Sequence, residues 1–222
     1  EDYERLVADL LSRHPIDEAM SLAVGGDYDR IGGIELAILK HAGLRNDMAL
    51  IDLGCGSGRL ATALGQDGLA IDYLGVDIVQ ALLDYAKART PSNYRFVLHR
   101  RLDLPADAET ADIICAFSVF THLLHTESFL YLQDIHRVLK PNGTLVFSFL
   151  EFAEPAHWSI FEQTLEAQRL SSIPHLNMFI ERNAIDVWCN RLGFRQEAIV
   201  GAAFPCWGGQ ALGQSVAILR KI

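Results

Sequence analysis

The sequence predicts an α/β domain built on a doubly wound, mostly parallel seven-stranded sheet. Apolar runs of strand length alternate with amphipathic helical patterns, and a glycine-rich turn follows the first of these runs. Two strand-like runs close the chain with no helix between them. Repeated β-α units give parallel strands with helices on both faces. The two final runs therefore predict an antiparallel strand pair at the sheet edge.

Size and composition agree with one enzyme-sized domain. The chain has 222 residues, 50% of them hydrophobic, which is enough for a large core. We expect a single domain over residues 1–222, with residues 1–45 as an N-terminal helical cap and residues 152–180 as an inserted segment on the acceptor side.

Charge and cysteine content limit the function. The net charge is −9, from 19 basic and 28 acidic residues, and nucleic acid is an unlikely partner because binding phosphates requires a basic face. No apolar run reaches membrane-spanning length. The four cysteines form no C-x-x-C pair, which favours reduced thiols and a cytoplasmic location.

The N-terminal part is predicted to be helical. Leucines at helical spacing predict helix over residues 1–24, interrupted at Pro15. A polar loop is expected at residues 27–30, between two pairs of glycines. A further helix is expected over residues 34–41, because Gly43 ends the pattern.

Strands and helices alternate through the rest of the chain. The first five strands are expected at residues 48–53, 73–76, 94–98, 112–118 and 144–150. The fourth is apolar almost throughout, as expected of a strand that is buried on both faces. Helices are expected to begin near residues 57, 79, 126 and 182, and the last two strands are expected at residues 195–200 and 215–219.

The most informative segment is the glycine-rich turn after the first strand. Residues 50–60 read LIDLGCGSGRL. Glycines let the backbone turn sharply and approach a ligand closely, while the next helix offers free N–H groups. Arg59 occupies the position where the dinucleotide fingerprint G-x-G-x-x-G needs its third glycine. This mismatch disfavours a nicotinamide or flavin ligand.

Two aspartates accompany this turn, Asp52 at the end of the first strand and Asp77 after the second. With the glycines they resemble the S-adenosylmethionine site of class I methyltransferases. The sequence VLKPNG at residues 138–143 also resembles the turn that precedes strand five in that family. The resemblance covers residues 48–222 and implies the strand order 3-2-1-4-5-7-6, S-adenosylmethionine as cofactor and S-adenosylhomocysteine as product.

The resemblance also implies roles for individual residues. Gly54, Cys55 and Gly56 contact the cofactor through the backbone, and Asp52 lies near its ammonium group. Asp77 accepts hydrogen bonds from the ribose hydroxyls, a role that its spacing from the glycine turn also suggests. The alternative for both aspartates is that each only caps a turn at a strand end.

The adenine end departs from the usual pattern of the family. Ile78 is expected to flank the adenine or ribose. An acidic residue often follows strand three in these proteins, but here Arg100 or Arg101 stands at that position, and Asp103 reaches it only by a register shift. We therefore expect backbone groups around Arg101 and Leu102 to recognise the adenine.

Three further residues are expected at the methionine part of the cofactor. They are Phe117 and Ser118, which close strand four, and Gly33, in the loop ahead of strand one.

His122 is the candidate general base for the acceptor. It follows strand four, at the sheet edge where this fold binds ligands. The alternative is that it begins the next helix. Seven other polar residues could likewise either lie at the acceptor or have an ordinary structural role. They are Tyr28, Asp29, His125, Glu151, Glu154, His157 and His175, and in the structural case Tyr28 and Asp29 form a polar turn. No cluster has metal-ligand spacing.

Residues 152–180 are longer than a usual connection in such a sheet. Their aromatic and apolar residues suggest a lid over the acceptor. Trp158, Phe161 and Leu165 recur at helical spacing, which equally fits a helix packed on the core. The two interpretations are compatible.

The sequence thus predicts a methyltransferase that uses S-adenosylmethionine to methylate oxygen or nitrogen of a small-molecule acceptor. A catalytically inactive S-adenosylmethionine-binding regulatory or scaffold protein is the alternative. A nicotinamide-dependent oxidoreductase is disfavoured by Arg59 and by the two consecutive terminal strands.

Overall fold

A computed structural model describes residues 2–170 and 177–222, and His175 lies outside the described residues. Seven strands form one sheet: β1 Ala49–Leu53, β2 Asp72–Asp77, β3 Arg95–Leu98, β4 Ala111–Ala116, β5 Leu139–Phe149, β6 Phe194–Val200 and β7 Ser215–Lys221. A two-residue strand, Gln210–Ala211, lies outside this sheet.

The strand order confirms the predicted topology. It is β3-β2-β1-β4-β5-β7-β6. Strands β1 to β5 are parallel to their neighbours, whereas β7 runs antiparallel to both β5 and β6. The carboxyl ends of β1, β2 and β4 therefore share one edge, and the N-terminus of β7 joins that edge beside the end of β5.

Helices cover both faces of the sheet. They are α1 Asp2–Arg13, α2 Ile16–Ala23, α3 Tyr28–His41, α4 Arg59–Asp67, α5 Gln80–Arg89, α6 His125–Val138, α7 Pro155–Arg169, α8 Arg182–Leu192 and the short α9 Cys206–Gly209. Alternate residues of β1 divide between two cores. Leu50 packs with α3 and α4, while Ile51 and Leu53 pack with α6 and α8. This division is what a doubly wound sheet requires.

The start of α3 corrects one prediction. The expected loop at residues 27–30 is mostly the first turn of this helix, and Gly33 lies in its middle on an exposed face rather than in a loop. Gly32 explains the difference, because a Cβ there would lie 2.7 Å from the carbonyl oxygen of Arg59. Close packing of α3 on the start of α4 thus outweighs the low helix propensity of two glycines.

Strand β5 begins earlier than expected, at Leu139 instead of residue 144. The predicted turn is present as an irregularity inside the strand, where Asn142 has a φ of +62° and the register with β4 shifts. Among the described residues, no helix is both long and apolar enough to cross a membrane.

Candidate functional site

The glycine loop, residues 54–58, joins β1 to α4 at the carboxyl edge of the sheet. Gly54, Gly56 and Gly58 have φ values of +72°, +55° and +83°, a backbone region that favours glycine. The N–H of Gly54 donates to the carbonyl of Val76 at 2.7 Å, which fastens the loop to β2. The predicted turn is present, with its backbone curved against the next strand.

Asp77 connects this loop to the start of α5. Its carboxylate is buried and accepts the N–H of Gly56 at 2.9 Å and the N–H of Val79 at 3.0 Å. Burial raises the pKa of this carboxyl. Asp77 therefore caps two turns, as the structural alternative required, while the ribose contact stays a prediction. Ile78 beside it is exposed at the same edge.

Asp52 faces the interior. Tyr73 Oη donates to one carboxylate oxygen at 2.7 Å, and the Cys115 thiol lies 3.5 Å from the other. Burial raises the pKa of Asp52 to about 7. Its contact with an ammonium group stays a prediction. Burial also raises the pKa of the Cys55 thiol well above its usual value, which makes this thiol unreactive.

A buried ion pair that the sequence did not reveal lies beside the loop. The guanidinium of Arg59 binds Glu35 of α3, and both side chains are almost fully buried. A second guanidinium nitrogen of Arg59 donates to the carbonyl of Val24 at 2.6 Å. Arg59 therefore ties α3 and the end of α2 to the glycine loop. The sequence feature that could have revealed this pair is Glu35, a carboxylate that stands among the apolar residues of α3.

Helices α1 and α2 with Val24, residues 2–24, form an N-terminal cover over the glycine loop. Ser57 Oγ donates to the carbonyl of Met20 at 2.9 Å. A Cβ at Gly56 would lie 2.5 Å from a methyl group of Val24, and one at Gly54 would meet Val119. Because the loop has no side chains at Gly54 and Gly56, a ligand could approach its backbone closely. In this structure Val24 and Val119 contact the loop at these two positions.

The residues predicted to recognise the adenine, Arg101 and Leu102, lie in the loop after β3. The carbonyl of Arg101 accepts a hydrogen bond from Tyr131 at 3.0 Å, and the side chain of Arg101 is largely exposed. Asp103 pairs with that guanidinium at 2.8 Å and with His99 at 2.5 Å. Leu102 is partly exposed between them. Recognition of adenine by this backbone stays a prediction.

The end of β4 carries the residues predicted for the methionine part. Phe117 is buried, and Ser118 has a left-handed φ of +59°. The Ser118 N–H donates to Ser148 Oγ at 2.7 Å, which connects β4 to β5. Val119 follows directly and packs near Gly54. Ser118 therefore lies between the glycine loop and the acceptor side, while Gly33 stands apart on α3.

His122 lies on the exposed side of a one-turn helix, Phe120–His122, just before α6. Its backbone N–H donates to Val119 at 3.0 Å. The neighbouring Thr121 carbonyl accepts the N–H of Met178, which brings this turn beside the end of the inserted segment. The placement is compatible with a base at the acceptor, and the role of His122 stays a prediction.

The other candidate polar residues make internal contacts. His125 Nε2 lies 2.9 Å from the carbonyl of Phe179, and Glu154 accepts the N–H of Ala202 at 3.0 Å. Tyr28 donates to the carbonyl of Ser57 at 2.8 Å. Across the described ranges, no group of three or more His, Cys, Asp or Glu residues has the arrangement of a metal site.

A charged network forms at the end of β5, in which Glu151 and Ser215 are buried and Arg182 is about half exposed. Arg182 donates two hydrogen bonds to the Glu151 carboxylate, each 2.8 Å long, and Ser215 Oγ donates a third at 2.5 Å. Arg182 holds the pKa of Glu151 below its usual value. The Glu151 N–H donates to His157 Nδ1 at 3.0 Å. Glu151 and His157 are therefore engaged in internal hydrogen bonds. The sequence had not singled out Arg182 and Ser215, which bind Glu151 at the end of β5.

The inserted segment forms the predicted packed helix, and its role as a lid over the acceptor stays a prediction. It contains α7, whose Trp158 and Phe161 pack with Phe152 and Phe179 in an aromatic cluster. Trp158 and Phe152 remain about half exposed. The cluster thus packs α7 against its neighbours and leaves Phe152 and Trp158 as an exposed aromatic surface.

The fold and the glycine loop define a Rossmann-like α/β domain with its ligand edge at the carboxyl ends of β1, β2 and β4. Residues 51–147 match the family model described as a methyltransferase domain. This match includes the glycine loop and Asp77. Over these residues the chain is therefore similar to S-adenosylmethionine-dependent methyltransferases.

Two curated relatives and one solved structure illustrate the similarity. The biotin biosynthesis bifunctional protein of Cellvibrio japonicus is 23% identical over 205 residues, which are 90% of this chain and 39% of that protein. The demethylmenaquinone methyltransferase of Staphylococcus aureus is 28% identical over 144 residues, 58% of this chain and 56% of that protein. The chain thus spans about half or less of the length of these two relatives.

Magnesium protoporphyrin IX methyltransferase from Synechocystis PCC 6803, solved with bound S-adenosylhomocysteine, superposes with a TM-score of 0.63 at 14% identity. The superposition covers 88% of this chain and 86% of that chain. At this identity the similarity concerns the fold.

Proposed function

We propose that the protein transfers the methyl group of S-adenosylmethionine to an oxygen or nitrogen atom of a small-molecule acceptor. The observation that carries the proposal is Asp77, a buried carboxylate bound to the N–H of Gly56 in the glycine loop. It brings a hydrogen-bond acceptor for ribose hydroxyls beside a backbone that permits close approach. A relative named demethylmenaquinone methyltransferase supports a small-molecule acceptor.

S-adenosylmethionine, when bound, supplies a methyl group on a positively charged sulfur. The backbone of residues 54–58 would bind the amino-acid end, and Asp77 would hold the ribose through its remaining lone pairs. The residues after β4 would align the acceptor with the methyl group. Where the acceptor must lose a proton, His122 would take it at an imidazole nitrogen.

The acceptor is proposed to be apolar in part and not a nucleic acid. The exposed aromatic surface of Phe152 and Trp158 suits an apolar molecule, and the net charge of −9 disfavours phosphate-rich partners. We also propose a cytoplasmic location, since all four cysteines are free and buried.

The first test is calorimetric titration with S-adenosylmethionine and with NAD. We expect the protein to bind S-adenosylmethionine. Asp77→Ala should weaken that affinity about 10- to 150-fold, because a hydrogen bond to a charged group contributes about 1.5–3 kcal/mol. Asp72→Ala is the matched control, an exposed aspartate at the other end of the same strand.

Two results would contradict the proposal: preference for NAD, or unchanged affinity in a folded Asp77→Ala variant. Transfer of label from methyl-labelled S-adenosylmethionine to a panel of phenols, carboxylic acids and amines then separates an enzyme from a protein that only binds the cofactor.

A further inference from the structure

Three polar side chains meet at the ligand edge of the sheet and form a serine–glutamine network. Ser118 follows β4, Ser148 lies near the end of β5, and Gln214 directly precedes β7. The pairing of Phe149 with Ser215 places Gln214 at this same edge. Ligands of open α/β sheets bind at the carboxyl ends of the strands. The network is thus on the side where an acceptor has to approach.

The hydrogen bonds of the network fix the orientation of the Gln214 carboxamide. Ser148 Oγ accepts the backbone N–H of Ser118 at 2.7 Å, so its own proton is available for Gln214 Oε1, 2.6 Å away. Ser118 Oγ lies 3.2 Å from the same oxygen and donates to it. Two hydroxyl donors therefore identify this atom as the carbonyl oxygen of the amide.

The amide nitrogen of Gln214 is then left with two N–H groups that point away from the serines. In the part of the chain that the structure describes, no group accepts a hydrogen bond from this nitrogen. Gln214 is partly exposed, so both N–H groups are available to a ligand at the edge.

Two further observations show that the position of Gln214 is held firmly. Ser215, the next residue, is tied by its hydroxyl to the buried Glu151 at 2.5 Å. Ser118 keeps a left-handed φ of +59°, which is uncommon for a residue with a side chain and is typical of functional sites. Val119 extends this rigid unit to the glycine loop through its contact near Gly54.

We infer that Gln214 determines acceptor specificity: its amide N–H groups bind an oxygen atom of the acceptor beside the site of methylation. This inference rests on the proposed function. The acceptor class is one with a carbonyl, carboxylate or phenolic oxygen that accepts hydrogen bonds. Cationic amines, which only donate, meet two more donors at this position and bind poorly.

The experiment compares two probes of the same shape, benzoate and benzylamine, by ligand-observed NMR with and without saturating S-adenosylhomocysteine. We expect the wild-type protein to bind benzoate and to disfavour benzylamine. Gln214→Glu keeps an oxygen for both serine hydroxyls but replaces the outward N–H groups by a carboxylate oxygen. It should weaken benzoate binding about 10- to 100-fold and reverse the ranking of the probes.

Controls separate this effect from misfolding. Gln210→Glu adds the same charge at an exposed site four residues earlier and should leave the ranking unchanged. Gln214→Leu should lose the binding of benzoate without gaining any binding of benzylamine. Ser148→Ala releases the amide and should weaken benzoate binding, with S-adenosylhomocysteine affinity unchanged.

The inference is overturned if the wild-type protein fails to bind benzoate, prefers benzylamine, or shares its ranking with Gln214→Glu. Titration with S-adenosylhomocysteine tests the proposed function separately. A wild-type protein that does not bind it contradicts that function, whereas the probes measured without it still decide the role of Gln214.

Discussion

The two sides of the ligand edge are held by different forces. The N-terminal cover packs through an apolar cluster in which Met20 and Ala23 contact Val79 and Leu82. Its polar contacts include hydrogen bonds to the backbone carbonyls of Met20 and Val24 and exposed ion pairs, such as that of Asp17 with Arg89. The side proposed for the acceptor depends instead on directional hydrogen bonds in the charged network and the serine–glutamine network, of which the bond from Ser215 to Glu151 is buried.

This difference separates the part that has to move from the part that has to stay fixed. Apolar contacts are not directional, so a cover can leave and return without leaving a buried charge unpaired. A buried polar network is costly when any member lacks a partner, so it keeps a single arrangement. We therefore expect the N-terminal cover to open more readily than the side that we propose for the acceptor.

The largest expected effect concerns chemistry on the acceptor side. If His122 removes a proton, His122→Ala should lower turnover about 10²- to 10⁴-fold with little change in S-adenosylmethionine affinity. The pH–rate profile should lose its limb near neutrality. Steady-state kinetics and calorimetry measure both. Turnover near wild type with lowered stability would instead assign His122 to structure, with the proton leaving to water.

The next largest expected effect is a pH dependence of the folding stability, which arises from the buried carboxyl of Asp52. Because its pKa is about 7 in the folded protein and 3.8 ordinarily, the folded state keeps a proton that the unfolded state has lost between these values. Stability should therefore fall as the pH rises from about 4 to 7, by at most about 4 kcal/mol. Asp52→Asn should flatten this dependence in urea unfolding, while the exposed Asp72→Asn should not. An equally steep profile in Asp52→Asn would refute the assignment.

Breaking the charged network tests the rigidity of the acceptor side. Arg182→Met leaves the buried Glu151 without its main partner and should lower the free energy of unfolding by about 2 kcal/mol, less than for a fully buried pair because Arg182 is about half exposed. The loss should shrink in acid, where the variant can protonate Glu151. Arg195→Met removes the exposed pair with Glu197 and should cost less than about 1 kcal/mol. Equal losses in the two variants would show that the charged network stabilises the fold no more than an exposed ion pair does.

The smallest expected effect is a change in cofactor affinity when the packing of the N-terminal cover is weakened. Val24→Ala removes methyl groups that pack against the glycine loop, which should weaken the closed cover by about 1 kcal/mol. S-adenosylmethionine should then bind about fivefold more tightly, because less closure has to be undone. Val187→Ala, an exposed valine on α8, is the control. Weaker binding in Val24→Ala would mean that Val24 contacts the cofactor instead of competing with it.

Local patterns were enough to predict most of the fold. The apolar runs and the glycine turn lie within single elements, and they identified the strands to within a few residues. The start of α3 was wrong because the two glycines that suggested a loop fit against the backbone of Arg59, a contact that no local pattern shows.

The same distinction applies to the site. The glycine loop and Asp77 were predictable because they end neighbouring strands. The serine–glutamine network was not, because it joins Ser118 and Ser148 to a residue 96 and 66 positions further along the chain. The Glu35–Arg59 pair likewise depends on how two helices pack.

The position of Val24 against the glycine loop has a kinetic consequence. Cofactor that arrives while the cover is closed has to wait for it to open, so the observed association rate should rise with cofactor concentration and then level off at the opening rate. The product has to leave by the same motion. Opening of the cover would then set an upper limit on catalytic throughput that is the same for every acceptor.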